Sequence, residues 1–140
     1  MTRRVLVPMD GSRPAEDGLR HALSEYPDTD ITVLHVVNPI DAFYRAPELS
    51  DWKAWYEEAS SEANEIFADA QAIGDEYGVE ISTATATGRP DRAIIEYTTD
   101  HDIDHIVIGS HGRTGDARTQ LGSVAEAVVR RSPVLVTVIR

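Results

Sequence analysis

The sequence predicts an α/β fold: a doubly wound, five-stranded parallel sheet in the order 3-2-1-4-5, with helices on both faces. Three observations predict it. Short β-branched runs alternate along the chain with stretches of helical period, in the order β-α-β-α-β-α-β-α-β. The runs Ile106-Val107-Ile108 and Val134-Leu135-Val136 are apolar without alternation, as in strands covered on both sides. Right-handed crossovers then leave a doubly wound sheet as the natural arrangement. The 140 residues, 41% hydrophobic and 26% charged, match one globular domain spanning residues 1–140.

Each element has its own signal. Val5-Leu6-Val7 is a strand stopped by Pro8. Ala15, Leu19, Ala22, Leu23 and Tyr26 then share one helical face, with Ser12 as N-cap and Pro14 in the tolerant first turn. Ile31 to Val37 is the second strand, and Asn38-Pro39 ends it. Residues 38 to about 50 form a long loop. A helix follows from about Trp52 to Tyr77, with Trp52, Trp55, Tyr56, Ala59, Ala63, Ile66, Phe67, Ala70 and Tyr77 as its expected core stripe and Gly78 as its stop. Val79 to Ala86 reads as the third strand. Pro90 opens a short helix through Tyr97, and Asp104 to Gly109 is the fourth strand. A glycine-rich loop leads into a helix with Leu121, Val124, Ala125 and Val128 on one face, and Val134 to Ile139 closes the chain as the fifth strand.

Composition narrows the function classes. Thirteen Lys+Arg against 24 Asp+Glu give a formal charge of −11, a surface that repels nucleic acid and anionic membranes. Lys53 is the only lysine. Many carboxylates with almost no lysine is the bias of salt-loving microbes, so the composition points to a halophilic source. Cysteine is absent, which removes disulfides, thiol catalysis and cysteine-bound zinc. No apolar run approaches the roughly 20 residues that span a bilayer. The opening MTRRVLVPMDGS is a poor secretory signal, so the expected location is cytoplasmic.

In an open parallel sheet, ligands sit beyond the carboxyl ends of the strands, where strand order reverses. The turns after the strands therefore carry the information. They are Pro8-Met9-Asp10-Gly11-Ser12, Asn38 and its loop, Gly88-Arg89-Pro90, and Gly109-Ser110-His111-Gly112-Arg113-Thr114-Gly115. The last turn, with Gly122-Ser123 beyond it, brackets a loop ending at a helix start. Glycines let backbone N–H groups approach an anion closely, and a helix start adds unpaired donors and partial positive charge. Ser123 brings a hydroxyl that can cap the helix or meet a phosphate oxygen. Arg113 can grip a phosphate with two parallel hydrogen bonds, and His111 can add charge. Arg89 stands on the same edge, as either a phosphate contact or a solvated turn residue.

The common nucleotide and hydrolase signatures are absent. There is no G-x-x-x-x-G-K-[ST], no G-x-G-x-x-G after the first strand and no G-x-S-x-G elbow. Neighbouring Ser110 and His111 in one turn make a poor triad with Asp10. His35 lies inside a strand and reads as a packed imidazole.

The spacing Gly109-x2-Gly112-x9-Gly122-Ser123 resembles the ATP-binding pattern G-x2-G-x9-G-[ST] of the universal stress protein (UspA) family. The turn Pro8 to Ser12, the strand Leu34-His35-Val36-Val37, the turn Gly88-Arg89-Pro90 and the strand Pro133 to Val136 resemble that family's other blocks in order; the loop 38–50 does not. The resemblance implies a Rossmann-like fold holding ATP or another adenine nucleotide, with Mg²⁺ accompanying the phosphates. It places Pro8, Met9 and Asp10 beside adenine and ribose, the Val36 backbone at the adenine edge, and Ile108 and Gly109 along the ribose. Gly112, Gly122, Ser123 and Val124 would hold the phosphates.

The implied function is a stress-response sensor or regulator. Backbone donors and one serine suit holding a nucleotide better than turning it over, because phosphoryl transfer needs a placed base and charge stabilisation. The alternatives are a slow Mg²⁺-dependent ATPase or nucleotide-transferring enzyme using Asp10, and a dimeric stress protein with an empty site. Asp10 either grips ribose or a cation or simply forms the turn. The apolar last strand, Val134 to Ile139, is an edge without a charged gatekeeper, and both it and the resemblance imply a homodimer paired through it. Phe43 and Tyr44 either cover the base or pack on the long helix.

Overall fold

The computed structural model describes residues 2–39, 52–110 and 122–140. Its elements run β1 (Arg4–Pro8), α1 (Arg13–Glu25), β2 (Asp30–Val37), α2 (Trp52–Glu76), β3 (Ser82–Thr87), α3 (Pro90–Asp100), β4 (His105–Gly109), α4 (Ser123–Arg131) and β5 (Leu135–Ile139). The five strands form one sheet in the order β3-β2-β1-β4-β5, and every neighbouring pair is parallel. This is the doubly wound, Rossmann-like sheet that the alternation of β and α patterns predicts. Strand order reverses between β1 and β4, so the carboxyl ends of these two strands frame the ligand edge.

Two cores flank the sheet because side chains alternate along each strand. Val5 and Val7 of β1, Ile31 and Val33 of β2 and Val107 of β4 pack under α1 and α2, against Leu19, Ala22, Ile66, Ala70 and Ile73. Leu6, Leu34, Ile106 and Ile108 face the other way and meet Ile94 of α3 and Ala125 and Val128 of α4. Helix α1 starts as its sequence predicts: Ser12 is the N-cap, its Oγ accepts the Ala15 N–H at 3.4 Å, and proline sits in the first turn.

Two element boundaries differ from the sequence reading by several residues, each for a physical reason. Strand β3 begins at Ser82, not Val79. The Val79 N–H is spent on closing α2, donating to the Gly74 carbonyl at 3.0 Å, while Gly78 takes the left-handed φ of 68°. Helix α3 runs past Tyr97 to Asp100, because Thr98 is buried and returns its hydroxyl to the Ile94 carbonyl at 2.8 Å.

The stripe of α2 is core over only part of its length. Ala63, Ile66, Ala70 and Ile73 are buried, but Tyr56 is 59% exposed and Tyr77 is also exposed. A helix of 25 residues is about 37 Å long. The strands, of five to eight residues, reach about 27 Å at most. One end of α2 must therefore outrun the sheet.

Candidate functional site

A cavity of about 330 Å³ opens at the carboxyl edge of the sheet, a size within the ordinary range for small-molecule sites. Pro8, Met9 and Asp10 enter it from the end of β1, with Ser12 and Ala15 from the start of α1. Leu34 and Val36 come from β2, Pro90 and Ile94 from α3, and Ile108, Gly109 and Ser110 from the end of β4. Gly122, Ser123, Val124 and Ala125 supply the start of α4. The cavity thus gathers Pro8, Met9, Asp10, Val36, Ile108, Gly109, Gly122, Ser123 and Val124, all named from the sequence. Gly112 and Arg113 fall outside the described residues, as do His111, Phe43 and Tyr44.

Its construction follows from local rules. Met9 leaves β1 with its N–H still donated to the Leu34 carbonyl at 2.9 Å. Asp10 then folds back, its Oδ1 accepting the Ser12 N–H at 2.9 Å, and Gly11 takes φ 85°, a conformation that costs a residue with a Cβ more. The carboxylate at the mouth therefore holds the turn that launches α1. On the other side, the Gly122 N–H donates to the Ser110 carbonyl, which ties the start of α4 to the residue after β4. Gly122, not Ser123, is the N-cap of α4, and among the described residues no side chain caps this helix. That corrects the capping role open to Ser123: the serine is the first helical residue and is exposed.

Ser110 also lines the cavity, although the sequence reading names it only within its turn and as a poor triad member, not as a ligand contact. It is 1% exposed, and its Oγ has no hydrogen-bond partner among the described residues. A buried hydroxyl without a partner is costly and directs attention to what completes it. Its place inside the Gly109-x-x-Gly112 pattern was the available signal. Leu34, Pro90 and Ile94 were also missed. Leu34 lies two residues before Val36 on the same face of β2, and Ile94 follows Pro90 by about one helical turn.

Arg89 does not line the cavity. Its guanidinium grips Asp91, Nε to Oδ1 at 2.9 Å and Nη2 to Oδ2 at 3.2 Å, and Arg131 reaches the same carboxylate at 3.5 Å. Burial alone would raise the Asp91 carboxyl, but the hydrogen bonds and charge of Arg89, joined by backbone N–H groups, leave it below its ordinary value. His35 is buried, as its strand position predicts, and its Nδ1 lies 3.0 Å from the Met9 carbonyl. Among the described residues, no group of three His, Asp or Glu is assembled to hold a metal, and no helix is long and apolar enough to cross a membrane.

The model of the universal stress protein family matches residues 1–140. The chain belongs to this family. Universal stress protein MJ0531 of Methanocaldococcus jannaschii is 32% identical over 139 residues, covering 96% of this chain and 81% of its own. Among solved structures, UspA from Lactobacillus plantarum superposes with a TM-score of 0.79 at 28% identity, over 99% of this chain and 97% of that one. More distant universal stress proteins share the fold. One is a complex with cAMP (22% identity, TM-score 0.72, covering 99% of this chain and 97% of that one). Another, from Arabidopsis thaliana, has AMP bound (21%, 0.70, covering 98% and 90%).

Proposed function

We propose that this universal stress protein binds an adenine nucleotide, ATP or a close relative, in the cavity at the carboxyl edge of its sheet. In this reading it acts as a nucleotide-responsive sensor or regulator rather than a fast enzyme. The observation that carries the reading is the start of α4 at Gly122, which makes no side-chain cap hydrogen bond and lines the same cavity as the Ser110 hydroxyl, itself without a partner among the described residues. Such a start offers backbone N–H donors and a positive dipole end to a phosphate. Ser110 Oγ has a hydrogen bond to give. Leu34, Val36, Pro8 and Ile94 offer apolar walls suited to a flat base. Relatives solved with AMP and with cAMP support an adenine ligand.

Mg²⁺ would travel with the phosphates, and Asp10 is the carboxylate that lines the cavity among the described residues. When bound, the ion would neutralise phosphate charge. The carboxylate of Asp10 is already engaged with the Ser12 N–H, which favours a turn-holding role over that of a general base.

Titration calorimetry with ATP, ADP and AMP tests the reading, using wild-type protein and Gly122→Asp. Aspartate is a favoured N-cap residue, so the variant keeps its helix while placing a negative charge where phosphate would sit. Wild type should bind at least one of these nucleotides, and Gly122→Asp should lose at least about tenfold in affinity. Absence of heat with all three, or undiminished affinity in the variant, overturns the proposal. Sustained metal-dependent turnover abolished by Asp10→Asn would instead favour an ATPase.

The edge strand β5 carries the homodimer in this proposal. Leu135 is 63% exposed, and the strand has β4 on one side and, among the described residues, no strand on the other. An apolar edge of this kind pairs readily with a second copy.

A further inference from the structure

The imidazole of His35 reaches a backbone atom of the cavity wall from the opposite face of the sheet. His35 shares its side of β2 with Ile31 and Val33, in the core under α1 and α2, whereas Leu34 and Val36 on the other side line the cavity. It is 6% exposed, and its Nδ1 lies 3.0 Å from the Met9 carbonyl oxygen. A carbonyl can only accept, so Nδ1 carries the hydrogen. The same Met9 donates its N–H to the Leu34 carbonyl at 2.9 Å. Both backbone polar groups of Met9 are thus taken by consecutive residues of β2, the N–H by the Leu34 carbonyl and the C=O by the His35 side chain.

The position of this clamp matters. Strand β1 ends at Pro8, and the residues that follow Met9 are Asp10, Gly11 and Ser12, the bend that enters the cavity and starts α1. Beyond the strand, a parallel ladder no longer orients the chain. The imidazole supplies a donor at the first residue past that point.

We propose that His35 is a positioning residue for the nucleotide site: by donating to the Met9 carbonyl it fixes the orientation of the Met9-Asp10-Gly11-Ser12 bend against the ligand. The proposal rests on the nucleotide reading above. It assigns the histidine no contact with the ligand and no proton transfer. A histidine in a strand core would otherwise cost desolvation without return, since an apolar side chain of similar volume packs as well.

Two substitutions separate positioning from packing. His35→Leu keeps the volume and removes the donor; His35→Asn returns an N–H near the position of Nδ1. Calorimetry with ATP should show His35→Leu weakened by about tenfold and His35→Asn within about threefold of wild type, as expected for one buried hydrogen bond. Amide hydrogen exchange on the ligand-free proteins should show the Gly11 and Ser12 amides opening faster in His35→Leu, restored in His35→Asn, with Val5 to Val7 unchanged. Equal affinity and equal exchange in all three proteins overturns the proposal, and so does His35→Asn behaving like His35→Leu in both. If wild type binds no adenine nucleotide, the functional reading fails, and His35 loses its role toward a ligand with it. Faster exchange confined to the bend would then still establish the clamp, and unchanged exchange would remove that too.

Discussion

Gly109, the last residue of β4, lies against Pro14, in the first turn of α1: a Cβ at position 109 would stand 2.6 Å from the Pro14 carbonyl carbon and 2.8 Å from the Ala15 nitrogen. The glycine is required by close packing of a helix start on a strand end, whatever it does for a phosphate. The obstacle is backbone on both counts, so nothing flexible can move aside. Gly109→Ala should destabilise the protein by about 3 kcal/mol, near the upper end for overpacked cores. Chemical denaturation measures it, and a loss under about 0.5 kcal/mol would show that α1 shifts freely.

Asp91 connects α3 to Arg89 in the turn before it and to Arg131 of α4. Its carboxyl lies below the ordinary 3.8, so the unfolded chain takes up the proton first as pH falls. The stability it contributes is therefore present above about pH 4 and is lost as pH drops through the lower folded value. Asp91→Asn should cost about 1–2 kcal/mol at pH 7, since both arginines are well exposed and their pairing is screened by solvent. As pH falls below the lowered folded value, the variant and wild type should converge in denaturation curves.

His105 at the start of β4 is 1% exposed, its Nε2 lying 2.8 Å from Thr137 Oγ1 of β5 and its ring edge-on to Tyr26 at 4.7 Å. Nδ1 has no partner among the described residues. Burial first, and then the charges of Arg3 and His21, hold the imidazole below its ordinary 6.5. The unfolded chain then binds the proton first, so this histidine's contribution is complete above about pH 6.5 and falls away as pH drops through the folded value. Stability measured between pH 4.5 and 7 should rise with pH in wild type and rise less in His105→Gln. Identical slopes would refute the assignment.

The free edge of β5 can be blocked without harming the sheet. The Ile139 carbonyl accepts the Ser110 N–H at 2.8 Å and so points toward β4. A residue's N–H and C=O point to the same side in a strand, and the side alternates along the chain. Residues 135, 137 and 139 thus bond inward, and 136 and 138 outward. Val138→Pro removes an outward N–H and should leave a folded monomer, whereas Thr137→Pro removes an inward one and should unfold the edge. Light scattering and circular dichroism on the two variants distinguish these outcomes. A dimer that persists in Val138→Pro would rule out pairing through β5.

Much of the fold was legible in the sequence because it is written in short-range patterns. The period of Ala15, Leu19, Ala22 and Leu23 is a property of one helix. The doubly apolar Ile106-Val107-Ile108 is a property of one strand, and neither depends on distant contacts for its meaning. The carboxyl edge was legible for the same reason: the turns after β1 and β4 announce themselves by glycine and a helix cap. Boundaries were less so. The Val79 backbone, expected in β3, completes α2 because Gly74 allows its carbonyl to approach within 2.8 Å of the Cβ position.

By itself, then, the sequence determined the order of elements, the two-faced burial of the sheet and the edge at which the cavity opens, since local periodicity and turn chemistry dictate all three. Tertiary structure alone decided the uses of individual residues. Gly109 is needed for Pro14, 95 positions away in the chain, Arg89 is turned onto Asp91, and His35 reaches the Met9 carbonyl across the sheet. Such pairings depend on where separate elements converge in space, and a packed interior, not a sequence interval, sets that distance.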